Sequence, residues 1–279
     1  MAEYINIRGQ SIEVVASDPA NPTIGQIWYN STSNTLKGLG VSTAGSWATG
    51  NNMNTARSGL AGTGTQTAAV GFGGENPGGA TEEYNGATWT SVNSMNTARY
   101  YLAGAGIQTA ALAFGGQNPS GNLGATEEYD GNSWTTSPSS LATAKELLSG
   151  AGTQTAGLAF MGTPDPTGIT EEYNGTTWAT SPGSINTIRS QGAGSGIQTA
   201  ALAFGGSNPP VTNLGATEEY DGISWATSPA SLATAREQLA GCGTQPSALA
   251  FGGYVTAPSA ATEEYTKTGT AGIKTITVS

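Results

Sequence analysis

Four markers recur along the chain in one fixed order. Tryptophan stands at Trp47, Trp89, Trp134, Trp178 and Trp225, at steps of 42, 45, 44 and 47 residues. Phenylalanine stands at Phe72, Phe114, Phe160, Phe204 and Phe251, and these five are all the phenylalanines in the chain. A Glu-Glu-Tyr triplet ends at Tyr84, Tyr129, Tyr173, Tyr220 and Tyr265. A basic residue keeps the same phase at Arg57, Arg99, Lys145, Arg189 and Arg236. Chance does not produce four co-phased ladders, so the chain is built from five copies of one unit.

One unit reads as four short strands. The first is the Arg-led stretch 99–106, ending in a Gly-rich turn. The second is the small apolar run Thr109-Ala-Ala-Leu-Ala-Phe, ended by Gly115-Gly116. The third is 125–129, ended by Asp130-Gly131, and the fourth is 132–136. A run of small apolar residues suits a strand buried on both faces. Asp-Gly and Asn-Gly pairs predict tight hairpin turns with positive φ at both central residues. Glycine is 42 of 279 residues and charged residues are only 10%. That balance excludes a coiled coil or a charged disordered tail and fits short strands joined by turns.

Four strands per unit of about 44 residues, repeated around an axis, define a β-propeller blade. The last Glu-Glu-Tyr has no Trp strand after it, and Trp47 has no Glu-Glu-Tyr strand before it. The two orphans fit one another. Residues 45–50 are expected to supply the outer strand of the last blade, beside Tyr265. The expected fold is therefore all-β: a five-bladed propeller over 45–266, ring-closed by an N-terminal strand. An N-terminal segment, 1–44, and a C-terminal strand, 267–279, flank it.

The double Gly, the following Tyr, the Trp five residues on and the later basic residue resemble kelch repeats. The resemblance covers 45–266 and implies a propeller, with the five Trp packed between blades. It departs from the family pattern at Phe160-Met161-Gly162, where Met replaces a Gly, and in having five blades where six or seven are usual. Kelch-type oxidases use His, Tyr and a crosslinked Cys at copper. This chain has no His, so the resemblance carries no activity.

Residues 1–44 do not repeat. A strand or hairpin is expected within 3–15. A strand at 26–29, a polar turn at 30–34 and a returning strand at 35–39 are expected next. The stretch 21–38 resembles a short hairpin of virion proteins of tailed, especially marine, bacteriophages. That resemblance implies a virion location, with Trp28 and Tyr29 as anchoring residues toward other virion proteins or docking residues of the hairpin itself. The tail 271–279 alternates as an edge strand.

Little in the chain points to catalysis. Without His, the commonest general base and the commonest metal ligand are both missing. Within each triplet, Thr81 and Glu83 point one way and Glu82 and Tyr84 the other, so a Glu pair does not converge on one substrate. Ten repeated Glu meet five repeated basic residues, and the expected role is structural: one Glu of each pair bonds the repeat's Arg or Lys, or backbone N–H groups of an adjacent blade. Glu83, Glu128, Glu172, Glu219 and Glu264 are counted with the five basic residues and the five Trp as structural repeat positions. Cys242 aligns with Thr63, Ala105, Ala151 and Ser195, a small-residue packing position, and has no base partner. No catalytic, cofactor-binding or metal-binding residue is assigned, and no cofactor is expected. Ligation of Ca²⁺ by backbone carbonyls is left open.

The units differ most between the double Gly and the Glu-Glu-Tyr triplet, at 75–79, 117–124, 163–168, 207–215 and 254–260. These loops are expected on one face of the disc, where a rigid scaffold presents binding residues. Gln117, Asn118, Asn122, Ser207, Asn208 and Asn213 are the candidate binding positions, facing a host-surface glycan or protein. A net charge of −10 without a basic patch argues against nucleic acid. No apolar stretch is long enough to insert in a membrane, and 1–15 lacks the apolar core of a secretory signal. Two functions follow as expectations. The first is a non-enzymatic virion structural protein, on tail, fibre or head, for host attachment or capsid decoration. The second is a free glycan-binding propeller.

Overall fold

A computed structural model of the chain describes residues 13–17, 27–32, 35–38, 51–76, 78–165, 167–208 and 212–267. The chain divides into two units, 1–49 and 50–279. In the first, Ile27–Asn30 pairs antiparallel with Thr35–Gly38 and parallel with Glu13–Val15. The expected hairpin is present, one residue later at its start. The buried Asn30 side chain accepts from the Thr32 N–H and so holds the turn. The expected strands at 45–50 and 271–279 lie outside the described residues.

The second unit is a five-bladed β-propeller. Blade 1 comprises Leu60–Thr65, Ala68–Gly73, Thr81–Tyr84 and Trp89–Val92. Blade 2 comprises Ala103–Ile107, Ala110–Phe114, Thr126–Tyr129 and Trp134–Thr136. Blade 3 comprises Ser149–Thr153, Ala156–Phe160, Glu171–Tyr173 and Trp178–Thr180. Blade 4 comprises Ala193–Ile197, Ala200–Phe204, Ala216–Tyr220 and Trp225–Ser231. Blade 5 has three strands among the described residues: Ala240–Thr244, Ser247–Phe251 and Thr262–Thr266. Each sheet is antiparallel and runs in chain order from the axis outward. The second strands form the core. Ala111, Leu112, Ala113 and Phe114 are fully buried, as the run of small apolar residues requires.

Two local expectations are corrected. Arg99 is not in the first strand, which starts at Ala103; it sits in the loop before it. The hairpin after Tyr129 is a four-residue loop, not a two-residue turn. Only Gly131 has positive φ; Asp130 stays on the ordinary side and its Oδ1 accepts from the N–H groups of Asn132 and Ser133. Those two donors also hold the exposed Asp130 carboxyl below its usual range. Asn85, Asn174 and Asp221 repeat the arrangement.

Four rows of contacts join blade to blade. In blades 2 to 5 the Tyr of the triplet donates its hydroxyl to the second Glu of the preceding blade: Tyr129 to Glu83, Tyr173 to Glu128, Tyr220 to Glu172 and Tyr265 to Glu219. In blades 2 to 4 the Trp indole N–H donates to the Thr before the preceding triplet, at 2.9 Å for Trp134 to Thr81 and 2.8 Å for Trp178 to Thr126 and Trp225 to Thr170. The same rings meet the preceding blade's Phe at centroid distances of 4.9–5.0 Å, within aromatic contact. In blades 2 to 5 a Gln just past the first strand reaches two carbonyls of the preceding blade, as Gln154 does to Ala111 and Tyr129. Near the axis, Tyr101, Leu147, Gln191 and Gln238 each donate a backbone N–H to the corresponding carbonyl one blade back, the first of these being Gly59. All five positions are left-handed, with φ between 54° and 64°. Four of them are not glycine, so the backbone conformation is imposed by this chain of bonds rather than by residue preference.

Candidate functional site

The repeated charges are consumed inside the blades. Arg57, Arg189 and Arg236 form ion pairs with the first Glu of their own triplets, Glu82, Glu218 and Glu263, and Arg99 lies 3.3 Å from Glu127. The same carboxylates also accept backbone N–H groups, as Glu127 does from Asn96 and Thr97. Burial pulls the Arg99 guanidinium down to about 10, against the raising effect of the Glu127 charge. The alternation read from the sequence holds: the first Glu turns to its own blade's Arg, the second to the next blade's Tyr.

Blade 3 breaks the expected pairing. Lys145 bonds Asp165, at 3.3 Å, and the Ile169 carbonyl, not Glu171. A lysine ends in a point charge and not in a fork. Here it takes a carboxylate from the adjacent loop. Glu171 keeps the Ala142 N–H, and its Oε1 is buried without a partner.

A second exchange sits at the double glycine. Gly115 has φ +66°, and a Cβ there would lie 2.8 Å from Leu148. In blade 3 the position is Met161, still left-handed at φ 60°, and the residue facing it is Gly192, where the other blades carry Leu. The bulk has changed sides across the seam, and Met161 remains buried.

The loops following the double glycines link into couples. Asn122 donates its amide to the Thr163 carbonyl of the blade 3 loop. Asn213 donates to the carbonyls of Tyr254 and Val255 in the blade 5 loop. Gln117 bridges Tyr100 through the backbone, and Ser207 does the same with Ser190 and is buried. Asn118 caps its own turn by accepting from Ser120 N–H. Asn208 is half-buried, with its Oδ1 unpartnered. Of the six candidate positions, then, Asn122 and Asn213 tie loops together, and Ser207 points inward. Among the residues that these loops expose are Pro119, Ser120, Pro164, Thr167 and the 40%-exposed Tyr254.

The five first strands surround a central cavity of about 490 Å³, lined by glycines together with Thr63, Ala105, Ala151, Ser195 and Cys242, and reaching Val70 and Trp89 of blade 1. Ala105, Ala151 and Ser195 are buried between neighbouring strands, but Cys242 is exposed. Its expected packing role is corrected accordingly. Among the described residues no group of three or more His, Cys, Asp or Glu is placed to hold a metal ion. No helix there is long and apolar enough to cross a membrane.

The Gln and Thr rows escape a reading by charge and aromaticity, since both residues are common and neutral. The signal was present: Gln66, Gln108, Gln154, Gln198 and Gln245 keep the period of the Trp ladder. Neither a protein-family model nor a curated protein matches this chain.

Proposed function

We propose that the protein is a non-enzymatic structural component of a tailed-bacteriophage virion. Its kelch-like propeller would be displayed on tail, fibre or head for host attachment or decoration. The observation that carries this reading is the N-terminal hairpin, Ile27–Asn30 with Thr35–Gly38, which forms where the resemblance to phage virion hairpins lies. Trp28 and Tyr29 on its first strand are the anchoring candidates toward other virion proteins. The propeller supports a display role, because most of its repeated carboxylates are bound to Arg or Tyr, which suits a structural use of them rather than acid–base work. Immunogold labelling of purified particles, with co-sedimentation, is the test. Label at the tail tip or fibres supports attachment, and label over the head supports decoration. Absence of the protein from particles overturns the reading.

A free glycan-binding propeller is the second reading. The exposed Tyr254, held beside the Asn213 amide on a loop face with little charge, favours it. Binding on a glycan array that is lost in Tyr254→Ala supports it.

A further inference from the structure

Glu146 and Glu237 hold one place in two blades, each directly after the basic residue of its unit; the other units carry Ser58, Tyr100 and Ser190 there. Both carboxylates bury an oxygen, Oε2, that no donor meets. The two differ in what faces them. Glu146 is bonded by the side-chain amide of Gln117, on the loop of the preceding blade. At the matching place before Glu237 stands the short Ser207, whose hydroxyl accepts from the Gln191 amide at 3.5 Å. The Gln238 amide is also spent, on Gln191 Oε1 at 2.8 Å. Glu237 is only 9% exposed, a depth at which a carboxylate is nearly always paired. Arg57, Arg99, Lys145, Arg189, Arg236 and Lys267 each hold a different carboxylate. Among the described residues, then, no cation is left for Glu237.

An aromatic ring stands beside this carboxylate. Glu237 and Tyr254 pair across an antiparallel bridge, exchanging backbone bonds of 3.1 and 2.7 Å. Residues directly opposite in such a pair send their side chains to the same side. Opposite Glu146 the residue is Thr163, so the ring belongs to blade 5 alone among the two. Tyr254 is exposed, and its hydroxyl donates to the Thr256 carbonyl at 3.1 Å, which holds the ring in place. Asn213 fixes the backbone beneath it through the Tyr254 carbonyl.

We propose that Glu237 and Tyr254 form a recognition site for a guanidinium group, carried by an arginine side chain of a partner protein. A guanidinium offers a carboxylate a planar fork of N–H donors and stacks on an aromatic face. It supplies the charge and the donor that Glu237 lacks. A neutral hydroxyl supplies only the donor. The site is independent of where the protein resides.

The test is an NMR titration of the ¹⁵N-labelled full chain with N-acetyl-arginine amide, and with N-acetyl-citrulline amide as its uncharged counterpart. Saturable shifts are expected at the amides of Glu237, Gln238 and Tyr254 with the arginine probe and not with citrulline. Glu237→Gln is expected to lose them. Tyr254→Thr, which installs the blade 3 residue, is expected to bind about twofold to fivefold more weakly. Melting curves of both variants confirm that the propeller is kept. Equal shifts with citrulline overturn the proposal in favour of a neutral ligand such as a glycan. Shifts scattered over the acidic surface overturn it in favour of general attraction to a chain of net charge −10. No saturable shift, or unchanged affinity in a folded Glu237→Gln or Tyr254→Thr, also overturns it.

Discussion

The seam between blades 2 and 3 and the seam between blades 5 and 1 carry the same residue types. At the first, Tyr173 reaches Glu128, Trp178 reaches Thr126, and Gln154 reaches the carbonyls of Ala111 and Tyr129. At the second, Tyr84, Trp89 and Gln66 stand on the rim of blade 1, and Glu264 and Thr262 stand on the rim of blade 5. Among the described residues none of these groups bonds its counterpart, and the two first strands lack the side-by-side packing seen at the other four seams. The burial follows. Ala103 and Ala105 in blade 2 are buried, whereas Ala240 and Cys242 in blade 5 are exposed. Every unit thus carries a donor rim and an acceptor rim in its own sequence. Whether a rim contributes stability depends on what lies beside it, so one substitution made in two blades measures the seam and not the residue.

The largest contrast is expected at the basic ladder. Arg99→Ala strands the fully buried Glu127 and should cost about 3–5 kcal/mol. The same change at Arg236 faces Glu263, whose side chain is 24% exposed, so water replaces part of what is lost. Urea unfolding of the two variants is expected to place Arg99→Ala well below Arg236→Ala. Equal midpoints would show that blade 5 is as enclosed as blade 2.

Next comes the exchange across the seam of blades 3 and 4. Met161→Gly empties a buried side chain's place and should cost about 2 kcal/mol or more. Gly192→Leu alone drives a side chain into Met161 and should cost about 1–3 kcal/mol. The double variant restores the Gly–Leu arrangement found where Gly115 meets Leu148, and is expected to be more stable than either single variant. A coupling of about 0.5–3 kcal/mol in a double-mutant cycle is the measure. Additive losses would mean that the two positions do not share one space.

Much of this was legible in the sequence. The ladders of Trp, Phe, Glu-Glu-Tyr and Arg define five units, because each marker fills a position that recurs once per blade. The partner of each group was less legible. A ratio of ten Glu to five basic residues predicts pairing, yet it does not say that Glu82 turns to Arg57 while Glu83 turns to the next blade's Tyr129. That choice is made by sheet register and blade packing. Lys145 illustrates the same limit, since its change of partner depends on a loop bringing Asp165 within reach. The loop face was the least legible. A polar, variable loop looks available for binding in the sequence, whereas the bonds from Asn122 and Asn213 to neighbouring loops depend on the tertiary arrangement.

The Tyr row gives an intermediate effect and a pH window. Tyr129→Phe removes a hydroxyl donated to a carboxylate, a bond of about 1.5–3 kcal/mol, whereas Tyr84→Phe at the open rim is expected to change stability by under about 0.5 kcal/mol. Burial first, and then the bond to Glu172, pushes the Tyr220 phenol from 10.0 up to about 12. Tyr129, Tyr173 and Tyr265 shift the same way. A phenol whose folded pKa lies above its unfolded value contributes stability in full below pH 10, and that contribution is lost as pH rises through the folded value. Unfolding free energy should therefore fall between about pH 10 and pH 12, and less steeply in Tyr220→Phe. An unchanged slope in that variant would remove Tyr220 from the window.

The smallest contrast is in the Gln row. Gln154 donates to the carbonyls of Ala111 and Tyr129, which already lie opposite each other in the blade 2 sheet. Removing the amide takes away one bridging group but leaves both residues paired in the sheet. The cost of Gln154→Ala should therefore be about 1 kcal/mol, near that of one net hydrogen bond and not two. Gln66 occupies the same place on the open rim of blade 1 and is exposed, so Gln66→Ala is expected to be silent within about 0.5 kcal/mol. Hydrogen exchange locates the difference. Amides at the ends of the second and third strands of blade 2 should exchange faster in Gln154→Ala, and those of blade 5 should not change in Gln66→Ala. Faster exchange in blade 5 on loss of Gln66 would show that the fifth seam is made in solution by the same chemistry as the other four.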